Sequence, residues 1–279
     1  MCKKYLKKIV FLAMLILPIV NAAPTIFKSE FLNVPGGILL HEVSKNQYIH
    51  GIFSNNKKIL TIRKNDKFYL VYGIPYGIAD GPQSIYISNR KSDNKINFIV
   101  KEKVFKKQHI TVSKKYIQPS DKDIARIIKE RNILSSYRDT WSSNDPDINF
   151  IHPAKGVTTG IFGTERYYNN QKGRYHNGID IAGNINNPIF APSSGRIMLT
   201  GNFFYNGKFV YIDHGKGLLS IFIHLNEITV KKGTYVNKGD VIGKIGVSGR
   251  STGPHVHWSL TLNQNYIDPM IFLTINKNN

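Results

Sequence analysis

The chain has 279 residues, 41% apolar and 20% charged, a composition that excludes a disordered tail and a multi-span membrane protein. Lysine and arginine outnumber aspartate and glutamate by 38 to 18, a formal charge of +20. That excess is spread along the sequence, which argues against a nucleic-acid-binding tail. The single cysteine, Cys2, excludes an internal disulfide framework, iron–sulfur clusters and multi-cysteine zinc sites, so any metal must be held by nitrogen and oxygen.

Lys3, Lys4, Lys7 and Lys8 precede an apolar run from Ile9 to Val20, and Val20-Asn21-Ala22 offers modest residues where a signal peptidase cleaves. The run is shorter than the roughly 20 residues a membrane span needs. Residues 1–22 therefore read as a secretory signal peptide, with an uncleaved anchor as the alternative. Cys2 precedes the run, so it is not a lipoprotein cysteine. An exported, evenly basic chain suits an anionic envelope surface.

Residues 23–118 read as a small β-domain. Ile38-Leu39-Leu40, Lys58–Ile62, Phe68–Tyr72 and Ser84–Ile87 are short strand signals separated by turn residues such as Lys64-Asn65-Asp66. Ser120-Asp121-Lys122-Asp123 reads as a capping box opening a helix, with Ile124, Ile127, Ile128 and Ile133 as its apolar stripe. Trp141–Asp147 reads as a linker, so residues 119–149 form a short helical connector.

Residues 150–279 are again strand-rich. Pro188–Pro192 and Gly195–Leu199 read as two strands joined by a tight turn; Phe209–Ile212 and Leu219–Ile223 read as a hairpin around Asp213–Gly217. The fold class is mainly β, with two β-domains around one helix.

Three segments of this half hold ligand-type residues: His176-Asn177-Gly178-Ile179-Asp180, His224-Leu225, and Gly253-Pro254-His255-Val256-His257-Trp258. Alternate strand residues share a face, so His255 and His257 point the same way. A catalytic zinc takes three protein ligands and leaves a position for water. His176, Asp180 and His257 can supply that trio and leave His224 and His255 beside the open position. Asp213 and His214 are explained by turn geometry, and Trp258 by packing. Arg166, Arg174 and Arg250 lie near the motifs, where a guanidinium can hold a carboxylate.

Taken together, Gly160-Ile161-Phe162-Gly163 through Arg166, Tyr175-HNGID, IDHGKGLLSIFIHL and KKGTYVNKGDVIGKIGVSGRSTGPHVHW resemble the LytM/lysostaphin-type zinc endopeptidases, in that family's order and spacing, from His152 to Pro269. The resemblance implies an antiparallel β-sheet catalytic domain, one Zn2+ ion, and cleavage of peptide bonds in peptidoglycan. It implies His176, Asp180 and His257 as zinc ligands and His224 and His255 as non-ligating catalytic histidines. It also implies a periplasmic location, with secretion as the alternative, and an N-terminal domain that either inhibits the site within the chain or positions the enzyme. A non-catalytic regulator of wall hydrolases is the competing function.

Overall fold

The computed structural model of the chain describes residues 26–88 and 93–273. The segment read as a signal peptide lies outside the described residues. Strands β1 (Ile38–Val43), β2 (Ile52–Ser54), β3 (Lys57–Lys64), β4 (Lys67–Gly73), β5 (Gly81–Ser88) and β6 (Asp93–Val100) form an antiparallel sheet in the order β1-β4-β3-β2-β5-β6, with helix α1 (Lys45–His50) between β1 and β2. The turns flanking β3 are made by Asn55-Asn56 and Asn65-Asp66, all four at positive φ. Asparagine and aspartate tolerate that conformation, which matches the twist of tight hairpins.

Period-2 alternation gives this sheet two buried faces. Leu39, Ile59 and Leu70 pack inward with Ile85, Ile96 and Phe98. Ile38, Leu60, Ile62, Tyr69 and Val71 point the other way, into a cluster that also holds Phe150, Phe222, Trp258 and Leu262. One continuous apolar core therefore joins residues from both halves. At its edge Asn263 and Asn265 donate to the Gly73 carbonyl, and the Gly73 amide donates back to Asn263 at 2.8 Å.

Strand β7 (Lys107–Ile110) leaves the first sheet, and helix α2 (Asp121–Arg138) follows. Ser120 caps α2 by accepting from the Asp123 amide, while its hydroxyl donates to the Asp123 carboxylate. The cap is thus one-sided, because the carboxylate does not reach back to the Ser120 amide. The isoleucine stripe of this helix is only partly covered: Ile127 and Ile133 are half-buried, but Ile124 is 43% and Ile128 51% exposed. Leu134 and Tyr137 pack on the sheet. Polar anchors set that rotation, with Glu130 accepting from the Phe204 amide and Arg126 donating to the Asn202 carbonyl.

The C-terminal half contains β8 (Thr158–Gly160), β9 (Glu165–Tyr168), β10 (Gln171–Tyr175), β11 (Ile179–Ala182), β12 (Pro188–Phe190), β13 (Gly195–Phe203), β14 (Gly207–Gly215), β15 (Leu218–Ile228), β16 (Tyr235–Val236), β17 (Val241–Ile245), β18 (His255–Leu262) and β19 (Asn265–Ile267), then the one-turn helix α3 (Met270–Leu273). The main path is β16-β13-β14-β15-β18-β11-β8, with β14 and β15 forming the expected hairpin. The expected β12–β13 hairpin is absent: β12 pairs with β17, and β13 with β14 and β16. The Ala191 amide is spent on the Asp240 carbonyl and Pro192 has no amide to offer, so the chain turns away between the two strands. A small separate sheet, β10-β9-β7, pairs β7 in parallel with β9 and so links the two halves.

His214 is fully enclosed in the sheet. Its Nδ1–H donates to the Ser194 carbonyl, and Ser220, which accepts from the Trp258 indole, supplies the proton to Nε2. Burial pushes this imidazole down to about 4. The unfolded chain takes up that proton below the ordinary value of 6.5, whereas the folded chain refuses it until about 4. Stability therefore falls as pH falls through that window, by on the order of 2 kcal/mol between pH 7 and 5 from this residue. His214→Gln is expected to be less stable than wild type at pH 7 but to lose less on acidification; denaturant titrations of both at pH 7 and 5 check this, since common contributions cancel in the difference.

Candidate metal centre

Strand β11 runs between β8 and β18, and its register sets Asp180 opposite His257 and Ala182 opposite His255. His176 lies just before β11 and reaches the same point. Asp180 Oδ1 is 2.9 Å from His176 Nε2 and 2.8 Å from His257 Nδ1, and those two nitrogens are 2.9 Å apart. All three residues are buried. Two glycines make the approach possible. A Cβ at Gly160 would lie 2.4 Å from Asp180 Oδ2, and one at Gly178 would lie 2.3 Å from the Trp258 carbonyl oxygen.

The outer atoms of each group are already committed. His176 Nδ1 donates to the Ile161 carbonyl at 2.9 Å, which leaves Nε2 as the lone-pair nitrogen. His257 Nε2 donates to Ser259 Oγ at 2.7 Å, and that hydroxyl donates onward to Asn177. Arg166 Nη2 holds Asp180 Oδ2 at 2.5 Å, so Oδ1 is left for the centre. Burial pushes His257 down to about 4 against the opposing pull of Asp180. Two ring nitrogens and a carboxylate oxygen thus turn toward one point. This donor set, with partners fixing each tautomer, fits a zinc-like divalent ion with one face open.

His224 reaches the site through an irregularity. Between the Lys208–Leu225 and Val210–Phe222 pairs, β15 carries one more residue than β14, a bulge. His224 sits there at φ +70°, a conformation that redirects its side chain. Its Nδ1–H donates to the Ser248 carbonyl at 2.8 Å. Burial, then the neighbouring His255 and His257, push His224 down to about 3. Its ring lies 5.0 Å from that of His255, whose Nδ1–H donates to the Gly253 carbonyl at 2.8 Å and whose Nε2 is 3.7 Å from Asp180 Oδ1. All five residues singled out in the sequence therefore converge.

An open cleft of about 540 Å³ leads to them, with Asp180, His224 and His255 in its lining. One wall, residues 108–112, comes from the N-terminal half and gave no signal in the sequence. Tyr76, also from that half, stacks on Tyr175 at 3.7 Å, next to His176. Of the three arginines considered, Arg166 is consumed by Asp180, Arg174 is exposed, and Arg250 lines the cleft.

The model for peptidase family M23 matches residues 174–269. Over 95 residues the chain is 39% identical to the peptidoglycan DD-endopeptidase ShyA of Vibrio cholerae, covering 34% of this chain and 22% of that protein. It is 36% identical over 97 residues to the DD-carboxypeptidase/endopeptidase Mpg of Neisseria meningitidis, covering 35% and 22%. These matches span only about a fifth of the curated relatives' length. A crystal structure of a candidate M23 peptidase from Pseudomonas aeruginosa matches with a TM-score of 0.72 at 31% identity, over 88% of this chain and 96% of that one. The chain belongs to peptidase family M23, as its motifs implied.

Arg166 and Asp180 form a largely buried ion pair, and removing one partner strands the other charge. Arg166→Met is expected to lower unfolding free energy by roughly 3–5 kcal/mol. Denaturant titration checks this; a change under about 1 kcal/mol would show that the pair does not support the site.

Proposed function

We propose that this chain is an exported zinc-dependent endopeptidase that hydrolyses peptide bonds in peptidoglycan. The observation that carries the reading is the convergence of His176, Asp180 and His257 beneath an open cleft that His224 and His255 also line. The family, and relatives named as peptidoglycan DD-endopeptidases, support the substrate class. The basic, leader-like N-terminus supports action outside the cytoplasm.

His176 Nε2, Asp180 Oδ1 and His257 Nδ1 would hold the ion. When bound, it supplies Lewis acidity, lowering the pKa of a coordinated water from about 15.7 toward 7 and polarising the scissile carbonyl. Arg166 occupies Asp180 Oδ2, so Asp180 would offer the ion one donor oxygen. His224 and His255 spend Nδ1–H on main-chain carbonyls, which leaves Nε2 of each as the proton-accepting atom. Either of these Nε2 atoms can take a proton from the attacking water. The ring protonated in that step then carries an Nε2–H, which can stabilise developing charge on the carbonyl oxygen and pass the same proton to the leaving amine.

The full chain is expected to release soluble muropeptides from purified sacculi in a chelator-sensitive way, read by mass spectrometry. His257→Ala should lose both bound zinc and activity. His255→Ala should keep zinc and lose about 10²- to 10⁴-fold in turnover. A zinc-free His255→Ala protein would reverse the assignment, and a zinc-loaded wild type that releases nothing would overturn the hydrolase reading in favour of a regulator.

A further inference from the structure

We propose that Arg250 is a specificity residue that binds a free carboxylate on the peptide substrate, an inference that rests on the hydrolase reading above. Arg250 lines the same cleft as His224 and His255. Its guanidinium carbon lies 4.2 Å from the Tyr168 ring centroid and 4.8 Å from that of Tyr205. Among the described residues its one side-chain hydrogen bond is a long one, 3.4 Å to the Tyr168 hydroxyl, and no carboxylate pairs with it.

The backbone around it is held firmly. The Arg250 amide donates to the Tyr205 carbonyl at 2.9 Å, and the Tyr116 hydroxyl donates to the Gly249 carbonyl at 2.5 Å. Gly249, at φ +70°, packs so closely on the 205–207 turn that a Cβ there would lie 2.3 Å from the Gly207 amide. Aromatic faces attract a guanidinium without neutralising it, and they leave its planar N–H edge free for two parallel bonds to a carboxylate. Arg166 provides the contrast: it lines the same cleft, but its charge is cancelled by Asp180, the one acidic residue in the cleft lining. The cleft therefore offers one pre-oriented, uncompensated cation to an anionic group on the substrate.

The test uses the full chain and two synthetic cross-linked stem peptides with the same scissile bond, one carrying a free carboxylate on the adjoining residue and the other a carboxamide. Binding is read by calorimetry on chelator-treated protein, where no turnover occurs, and KM and kcat on the zinc-loaded protein. Wild type should prefer the free carboxylate about tenfold or more, as expected for a charge-assisted pair. Arg250→Gln should abolish that preference, through KM more than kcat, and Arg250→Lys should keep part of it, with melting temperature and zinc content unchanged in both. Equal binding of both peptides by wild type would overturn the inference, as would an Arg250→Gln effect of the same size on both. A retained binding preference with neither peptide cleaved would uphold the carboxylate site while sinking the hydrolase reading.

Discussion

Three lone pairs facing one another across less than 3 Å, in a place water barely reaches, repel unless positive charge sits among them. At His176, Asp180 and His257 that constraint organises everything nearby. Each donor has its far side tied: His176 to a main-chain carbonyl, His257 to Ser259, Asp180 to Arg166. If any tie were loose, a ring could rotate or a tautomer could switch, and the convergence would be relieved without an ion. The ties keep the repulsion in place, and stored repulsion of this kind favours a cation at one geometry.

Antiparallel pairing does most of the positioning. Asp180 and His257 are opposite each other on neighbouring strands, so their separation follows from sheet spacing before any side chain is placed. That spacing leaves no room for bulk beside them, which is why Gly160 and Gly178 carry no Cβ. Their φ angles are not left-handed; space, not backbone freedom, demands glycine there. His224 is the exception to regular pairing. A continuous ladder would have turned it with its strand's alternation, and the bulge re-aims it at the cost of a positive φ.

Each histidine or aspartate segment alone was a weak signal; the five residues were singled out because the segments taken together resemble one family, whereas most strands were legible from alternation and turn chemistry. What was hidden depends on long-range geometry. The bulge at His224 arises from a mismatch between two strands, which neither strand shows alone. The β12–β17 pairing is set by main-chain bonds around residues 191 and 240, where side-chain patterns carry no information. The α2 stripe misled because apolar periodicity was weighed without the polar contacts of Arg126 and Glu130 to the 202–204 main chain. Ser259 had a faint signal: it is a polar residue two places after His257, on the same strand face.

The matched stretch, residues 174–269, contains His176, Asp180, His224, His255 and His257 but begins after Gly160 and Arg166. Both lie on strands outside that stretch, and Arg166's strand β9 takes its outer partner, β7, from the N-terminal half. The lever on Asp180 therefore hangs from a strand whose neighbour belongs to the other half of the chain. The same half supplies residues 108–112 of the cleft wall and Tyr76 against Tyr175. With an apolar core shared through Ile38, Leu60 and Val71, a displacement of the first sheet would be felt at the HNGID segment, whose Ile179 lies in that core. Packed interiors transmit such shifts because they have little room to absorb them. In this chain the N-terminal sheet is thus part of what shapes the site, and the chemistry carried by the C-terminal motifs is aimed by contacts that lie outside them.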